Sequence, residues 1–207
     1  MTDRRIDKIL SSVADDLWGG AKPQSAPEEQ EESPVPEPTA PVYQPAFPPF
    51  EQLWKTADET VDWTDALVHP EPVDGMTPPR LWSYFHQQAK GVLAGDLHAY
   101  AEVLRTANPL GDIARYTAGI GIDVNTADQL TAAFDASDHY LSTDGRRYLC
   151  GVALRIARDL MALLPVTNVR VTARKADETL LDVTFPRANM QKVRFTFIDP
   201  VAFVENM

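Results

Sequence analysis

Residues 146–164, RRYLCGVALRIARDLMALL, wind into a helix that is apolar around most of its circumference. At about 100° per residue, Arg147, Gly151, Arg155, Arg158, Asp159 and Ala162 fall within one stripe, roughly a third of the surface. Tyr148, Leu149, Val152, Ala153, Leu154, Ile156, Ala157, Leu160, Met161, Leu163 and Leu164 occupy the rest. A helix this apolar has to be covered on more than one side, so it is the expected core helix of a domain. It is too short and too often charged to cross a bilayer. Thr143 and Asp144 offer an N-cap, and Pro165 supplies the stop by disfavouring helical backbone at Leu164.

Beyond Pro165 the hydrophobic period drops to two. Val169, Val171 and Ala173 alternate with Arg170, Thr172 and Arg174. Leu181, Val183 and Phe185 alternate with Leu180, Asp182 and Thr184, and Val193, Phe195 and Phe197 with Arg194, Thr196 and Ile198. Three half-buried strands are predicted, the first two joined as a hairpin through Lys175 to Glu178. In register, Asp182 falls beside Arg170, Thr172 or Arg174 on the outer face. That face is either ordinary solvated surface or a shallow anion-tolerant one, with Arg170, Arg174 and Arg194 as its cations.

Upstream, Thr77-Pro78-Pro79 opens a helix carrying Leu81, Trp82, Phe85, Val92 and Leu93 and stopping near Gly95. Asp96 caps a second helix with Leu97, Tyr100, Val103 and Leu104, broken at Asn108-Pro109, and a third helical stretch runs from Leu110 to Thr117. GIDVNTADQLTAAFDAS reads either as a capped helix or as a hairpin. The alternation of Ile120, Ile122 and Val124, answered by Leu130, Ala132 and Phe134, favours the hairpin. The predicted class is therefore α+β, an antiparallel sheet made of a hairpin plus a three-stranded element, packed on the long core helix and the helices before it.

The net charge of −11 is unevenly distributed. Residues 1–77 hold 16 of the 30 acidic residues but only 5 of the 19 basic ones, together with 11 of the 17 prolines. From about residue 20 to 50 the chain has glycine, glutamate and proline where an apolar period would be, and it is predicted to be a disordered acidic linker. Such a linker reaches about 30 Å as a flexible coil and up to about 90 Å as polyproline II. Residues 1–19 precede it as a short one-sided helix, with Ile6, Ile9, Leu10, Val13, Leu17 and Trp18 on the apolar side and Gly19-Gly20 as the stop. A helix of that length needs a surface to lie on, supplied by its own domain, by a second copy or by a partner's groove. Its acidic residues argue against a membrane surface. Residues 51–77 form an acidic-aromatic segment in which Trp54 and Trp63, with Phe47 and Phe50 just before, either anchor a partner or pack back on the domain as a covering turn. The folded domain is assigned to residues 78–207.

The runs LHAYAEVLRTANPLGDI, YLCGVALRIARDLMALLPVTNV and FTFIDPVAF resemble a C-terminal domain of uncharacterised proteins from Gram-positive bacteria, over about residues 80–204. The resemblance implies one transferable domain with a hairpin at 120–136. It implies no activity and carries no catalytic residue.

Chemistry-bearing residues are sparse. His98 and Glu102 share a helix face at i and i+4, but a metal would need a third ligand, with only His139 or Asp123 as distant possibilities, so the structural reading stands ahead. Cys150, the single cysteine, is expected to be a buried thiol in the core helix rather than a nucleophile, and it excludes an internal disulfide. No phosphate loop, nucleophile elbow, HExxH or paired-carboxylate nuclease motif is present. No metal and no cofactor is expected. The first residues are polar and charged with no apolar run behind them, which suggests a cytoplasmic protein without a membrane partner. From Ser142 onward ten basic residues face seven acidic ones, a modest excess without interleaved aromatics for stacking bases. The expected function is thus a non-enzymatic adaptor, whose N-terminal helix docks one protein partner while the folded domain holds another, self-association being included. A nucleic-acid-binding accessory module and a chaperone-like domain holding a client segment along its sheet are the alternatives.

Overall fold

The computed structural model describes residues 49–72 and 77–207. The expected N-terminal helix with Ile6, Ile9, Leu10, Val13, Leu17 and Trp18, most of the linker, and Phe47 lie outside the described residues.

The chain builds α1 (Trp63–Val68), α2 (Pro79–Leu93), α3 (Leu97–Ala107), β1 (Thr117–Val124), β2 (Gln129–Ala136), α4 (Asp138–Leu163), β3 (Asn168–Lys175), β4 (Glu178–Pro186), α5 (Arg187–Met190) and α6 (Pro200–Glu205), with 3-10 turns at Phe50–Lys55, Ile113–Tyr116 and Phe195–Phe197. The predicted core helix is the second part of α4. Asp144, at φ −150° and ψ 73°, breaks α4 in two, and its Oδ1 accepts the Arg147 N–H at 3.3 Å, the expected N-cap. Asp96 caps α3 by accepting from the His98 N–H, and Asn108, in the left-handed region at φ 46°, ends it.

The α+β class is as expected, and so are both hairpins. The sheet runs in the order β1-β2-β3-β4. β1 and β2 pair antiparallel, as do β3 and β4, but β2 and β3 run parallel. The sheet is mixed rather than antiparallel because α4 carries the chain back along its length before β3 begins, making a strand–helix–strand crossover. The third expected strand is absent. Residues 195–197 form a 3-10 turn, with Phe195 beneath the Arg158 guanidinium at 4.0 Å and beside Phe203 at 6.0 Å, while Phe197 is 82% exposed. The chain leaves the sheet at Arg187, whose side chain is needed elsewhere.

That need lies at the C-terminus of α4, where the last carbonyls have no partner within the helix. Arg187 donates to the carbonyls of Met161, Leu164 and Val166 at 2.6–2.7 Å. The Val61 N–H donates to Ala162 O at 2.9 Å, and the Trp63 indole N–H to Leu163 O at 2.7 Å. The end of the core helix is therefore closed by residues about 20 places after it and 100 places before it. The described residues 49–72 of the acidic-aromatic stretch belong to the same compact unit as residues 77–207, so the domain begins well before residue 78.

The same segment covers the polar stripe of α4. Trp54 lies against Gly151, where an added Cβ would sit 2.8 Å from Trp54 Cε3, and the Arg147 guanidinium stacks over the indole at 5.6 Å. On the other side of α4, Phe134, Val171 and Phe185 of the sheet join Leu154, Ile156 and Leu160 in one buried cluster. Tyr148 ties the ends together, its hydroxyl donating to Tyr116 O at 2.5 Å and accepting from the Ser137 N–H at 3.1 Å.

Gly→Ala within an exposed helix stabilises by about 1 kcal/mol. Gly151→Ala is expected to act in the opposite sense, lowering stability by about 1–3 kcal/mol as the methyl group meets the immobile indole. Urea unfolding measures it, and the loss should shrink in a Trp54→Leu background if the Trp54 contact is its cause.

Candidate binding sites

Arg155 is the centre of the covered stripe. It is 5% exposed and Asp159, one turn on, is fully buried; Arg155 Nε donates to Asp159 Oδ2 at 2.5 Å. Its remaining donors leave the helix, to Thr56 Oγ1 at 2.6 Å, Asp58 Oδ1 at 3.5 Å and Asp112 Oδ2 at 3.3 Å. The Asp58 N–H returns a hydrogen bond to Asp159 Oδ1 at 2.9 Å. Arg158 donates to the carbonyls of Trp54 and Thr56. Burial pushes the Asp159 carboxyl up to about 7 and raises Asp58, with Arg155 pulling both down. A guanidinium 5% exposed and already shared by three carboxylates and a hydroxyl presents no open face to a ligand. The cluster clamps the 49–62 segment and the Asp112 turn onto α4 and is structural.

Of the aromatic residues singled out as partner anchors, the three that are described are core. Phe50, Trp54 and Trp63 are all buried, Phe50 edge-on to Tyr140 and Tyr148 and Trp63 edge-on to Phe85. The segment packs back on the domain, because its aromatics fill space that the polar stripe of α4 leaves open, and those three side chains cannot reach a partner. The arginine set is not brought together either. Arg170 is bound bidentate by Asp182 at 2.8 and 2.5 Å, which also holds that carboxyl below its ordinary value. Arg174 stands at the end of β3 beside Asp135 on the neighbouring strand. Arg194 lies outside the sheet, just before the Phe195–Phe197 turn.

Glu102 is engaged by Arg105 at 2.5 Å, and among the described residues no group of three or more His, Cys, Asp or Glu side chains is placed to hold a metal ion. Cys150 is fully buried and its thiol is pushed up to about 11 by burial, so it carries no thiolate at neutral pH. His86 sets Nδ1 2.7 Å from Ala66 O, and its position is explained by α1 packing on α2. No helix of the described residues is long and apolar enough to cross a membrane.

What does present itself for binding is the free side of β1. Its inward-facing residues Ile120, Ile122 and Val124 are only half-buried, whereas their β2 partners Phe134, Ala132 and Leu130 are at most 1% exposed. The difference arises because α4 packs on β2, β3 and β4, while α3 faces β1 across a groove of about 470 Å³ with Leu104, Leu110 and Ala114 on one wall and β1 on the other. Among the described residues no strand pairs with the outer edge of β1. The strand TAGIGIDV has no proline and no lysine and only Asp123 as a charge, so it lacks the usual devices that discourage a further strand. Sequence periodicity identified the apolar face of this strand and not its position at the edge. The Gly-rich, unguarded composition was the available signal.

No family model matches the chain, and neither a curated protein nor a solved structure is significantly similar to it.

The buried cluster gives a pH dependence of unusual sign. A carboxyl with its folded-state pKa raised from 3.8 to about 7 holds its proton more tightly folded than unfolded. Its contribution to stability is present at acid pH and is lost as pH rises through that interval. Relative to Asp159→Asn, the unaltered protein should lose stability across the window by up to about 1.4 kcal/mol per pH unit, read from urea unfolding on either side of it.

Proposed function

We propose that this protein is a non-enzymatic adaptor whose folded domain holds an extended segment of a protein partner as a fifth strand on β1, while residues 1–19, expected from their sequence to form a helix, recruit a second partner. The observation that carries the reading is the combination, at one edge, of backbone that no strand among the described residues pairs, half-covered Ile120, Ile122 and Val124, and an apolar groove beside them. In strand addition the main chain supplies affinity and alternate side chains supply selectivity. An added strand would place every second side chain in the groove against Leu104 and Leu110, completing the cover that α3 does not provide. The linker then holds the two bound partners at raised effective concentration.

Peptide display on the full chain is expected to enrich extended sequences with apolar residues at alternate positions. Ile122→Lys, which sets an ammonium in the groove, should weaken such a peptide by at least about tenfold while the circular dichroism spectrum is unchanged. Deleting residues 1–20 should leave peptide binding intact and remove one of the partners captured by the full chain. Enriched peptides indifferent to Ile122→Lys sink the β1 reading, and unchanged partners after the deletion sink the role given to the helix.

A further inference from the structure

A second cavity, of about 350 Å³, opens where the 58–65 stretch meets α2. Its floor is apolar, from Val61, Leu81, Trp82, Phe85 and Leu163, with the Trp82 indole held by its N–H donating to His69 O at 2.8 Å. Its rim is acidic, formed by Asp58, Glu59, Asp62 and Asp65, and among the described residues no lysine or arginine lines it. Three of these carboxylates have partners that fix them in place. Asp62 Oδ1 accepts the Thr64 and Asp65 N–H groups as the cap of α1, Asp65 lies 3.4 Å from His69, and Asp58 reaches Arg155 at 3.5 Å. Those bonds leave Asp62 Oδ2 and Glu59 without a partner among the described residues, and the acceptor capacity of the rim exceeds the donors supplied to it.

We propose that this cleft binds an arginine side chain of a partner polypeptide, its aliphatic stem on Val61 and Leu81 and its guanidinium across the carboxylates of Glu59 and Asp62. An anionic group is repelled by the rim, and a purely apolar one would strip water from four carboxylates without replacing it. A long cationic side chain satisfies both the floor and the rim. Guanidinium suits the site better than ammonium, because it is weakly hydrated and its fixed fork of N–H donors can span two carboxylates. The cleft is a contact separate from the β1 edge, so this inference stands or falls without that one.

The test uses the full chain and the peptide N-acetyl-Leu-Arg-Leu-amide, titrated while the Trp82 indole N–H is followed by NMR. Binding is expected to shift that resonance, to weaken at least about threefold between about 50 and about 500 mM salt, and to fall at least about tenfold in Glu59→Lys, an exposed position that leaves folding intact. The peptide with citrulline in place of arginine keeps the shape without the charge and should bind at least about tenfold more weakly. Equal binding of the citrulline peptide, unchanged binding in Glu59→Lys, or no shift of the Trp82 resonance would each overturn the proposal.

Discussion

A guanidinium that is 5% exposed dictates much of what surrounds it. Removing Arg155 from water costs several kcal/mol unless its donors are met, and α4 can meet only one of them, with Asp159. The others require Thr56 and Asp58 from the preceding segment and Asp112 from the turn before β1. Once those residues are in place, Trp54 is delivered to Gly151, Val61 to the Ala162 carbonyl and Trp63 to the Leu163 carbonyl. The acidic-aromatic segment is therefore a structural layer of the domain. Its Thr56 and Asp58 side chains serve Arg155, its Trp54 and Thr56 carbonyls serve Arg158, and its aromatics close the helix face those arginines interrupt.

The sheet follows from the same helix. Lying between β2 and β3, the 26-residue α4 returns the chain to the end from which β2 started, so β3 pairs parallel and the two hairpins flank a parallel centre. One long helix cannot cover four twisted strands evenly. Leu130, Ala132, Val169 and Val171 under it are completely buried, and Ile120 and Ile122 at the edge are not. The groove on β1 is thus a by-product of the architecture, an apolar concavity beside a strand edge that no other described strand pairs. The acid-rimmed cleft has a comparable origin, lying where the segment that serves Arg155 turns away from α4 to start α1.

Local features were legible in the residues themselves. The core helix, its Asp144 cap and Pro165 stop, the hairpins at 117–136 and 168–186, and the placing of Asp182 beside Arg170, Thr172 or Arg174 all rest on interactions between residues close in sequence, or on alternation that a strand pair has to respect. Elsewhere the same signals misled. Val193, Phe195 and Phe197 alternate like a strand, yet Arg187 is drawn to the carbonyls ending α4 and takes the chain off the sheet. The strand–helix–strand order of residues 129–175 already carried the mark of a parallel pair, but alternation alone is blind to direction.

The candidate sites were less legible than the fold, and for one physical reason. Periodicity states which face of an element is apolar, because that is a property of the element alone. Which neighbour covers that face, and how completely, depends on contacts between residues about 100 positions apart, such as Thr56 with Arg155 and Trp63 with Leu163. By itself the sequence determined that α4 must be wrapped and that the strands are half-buried. Only the tertiary structure decided that Phe50, Trp54 and Trp63 do the wrapping, that Ile120 and Ile122 are the residues left short of cover, and that Asp58, Glu59, Asp62 and Asp65 converge on one apolar cleft, since packing distributes burial among faces that look alike in the chain.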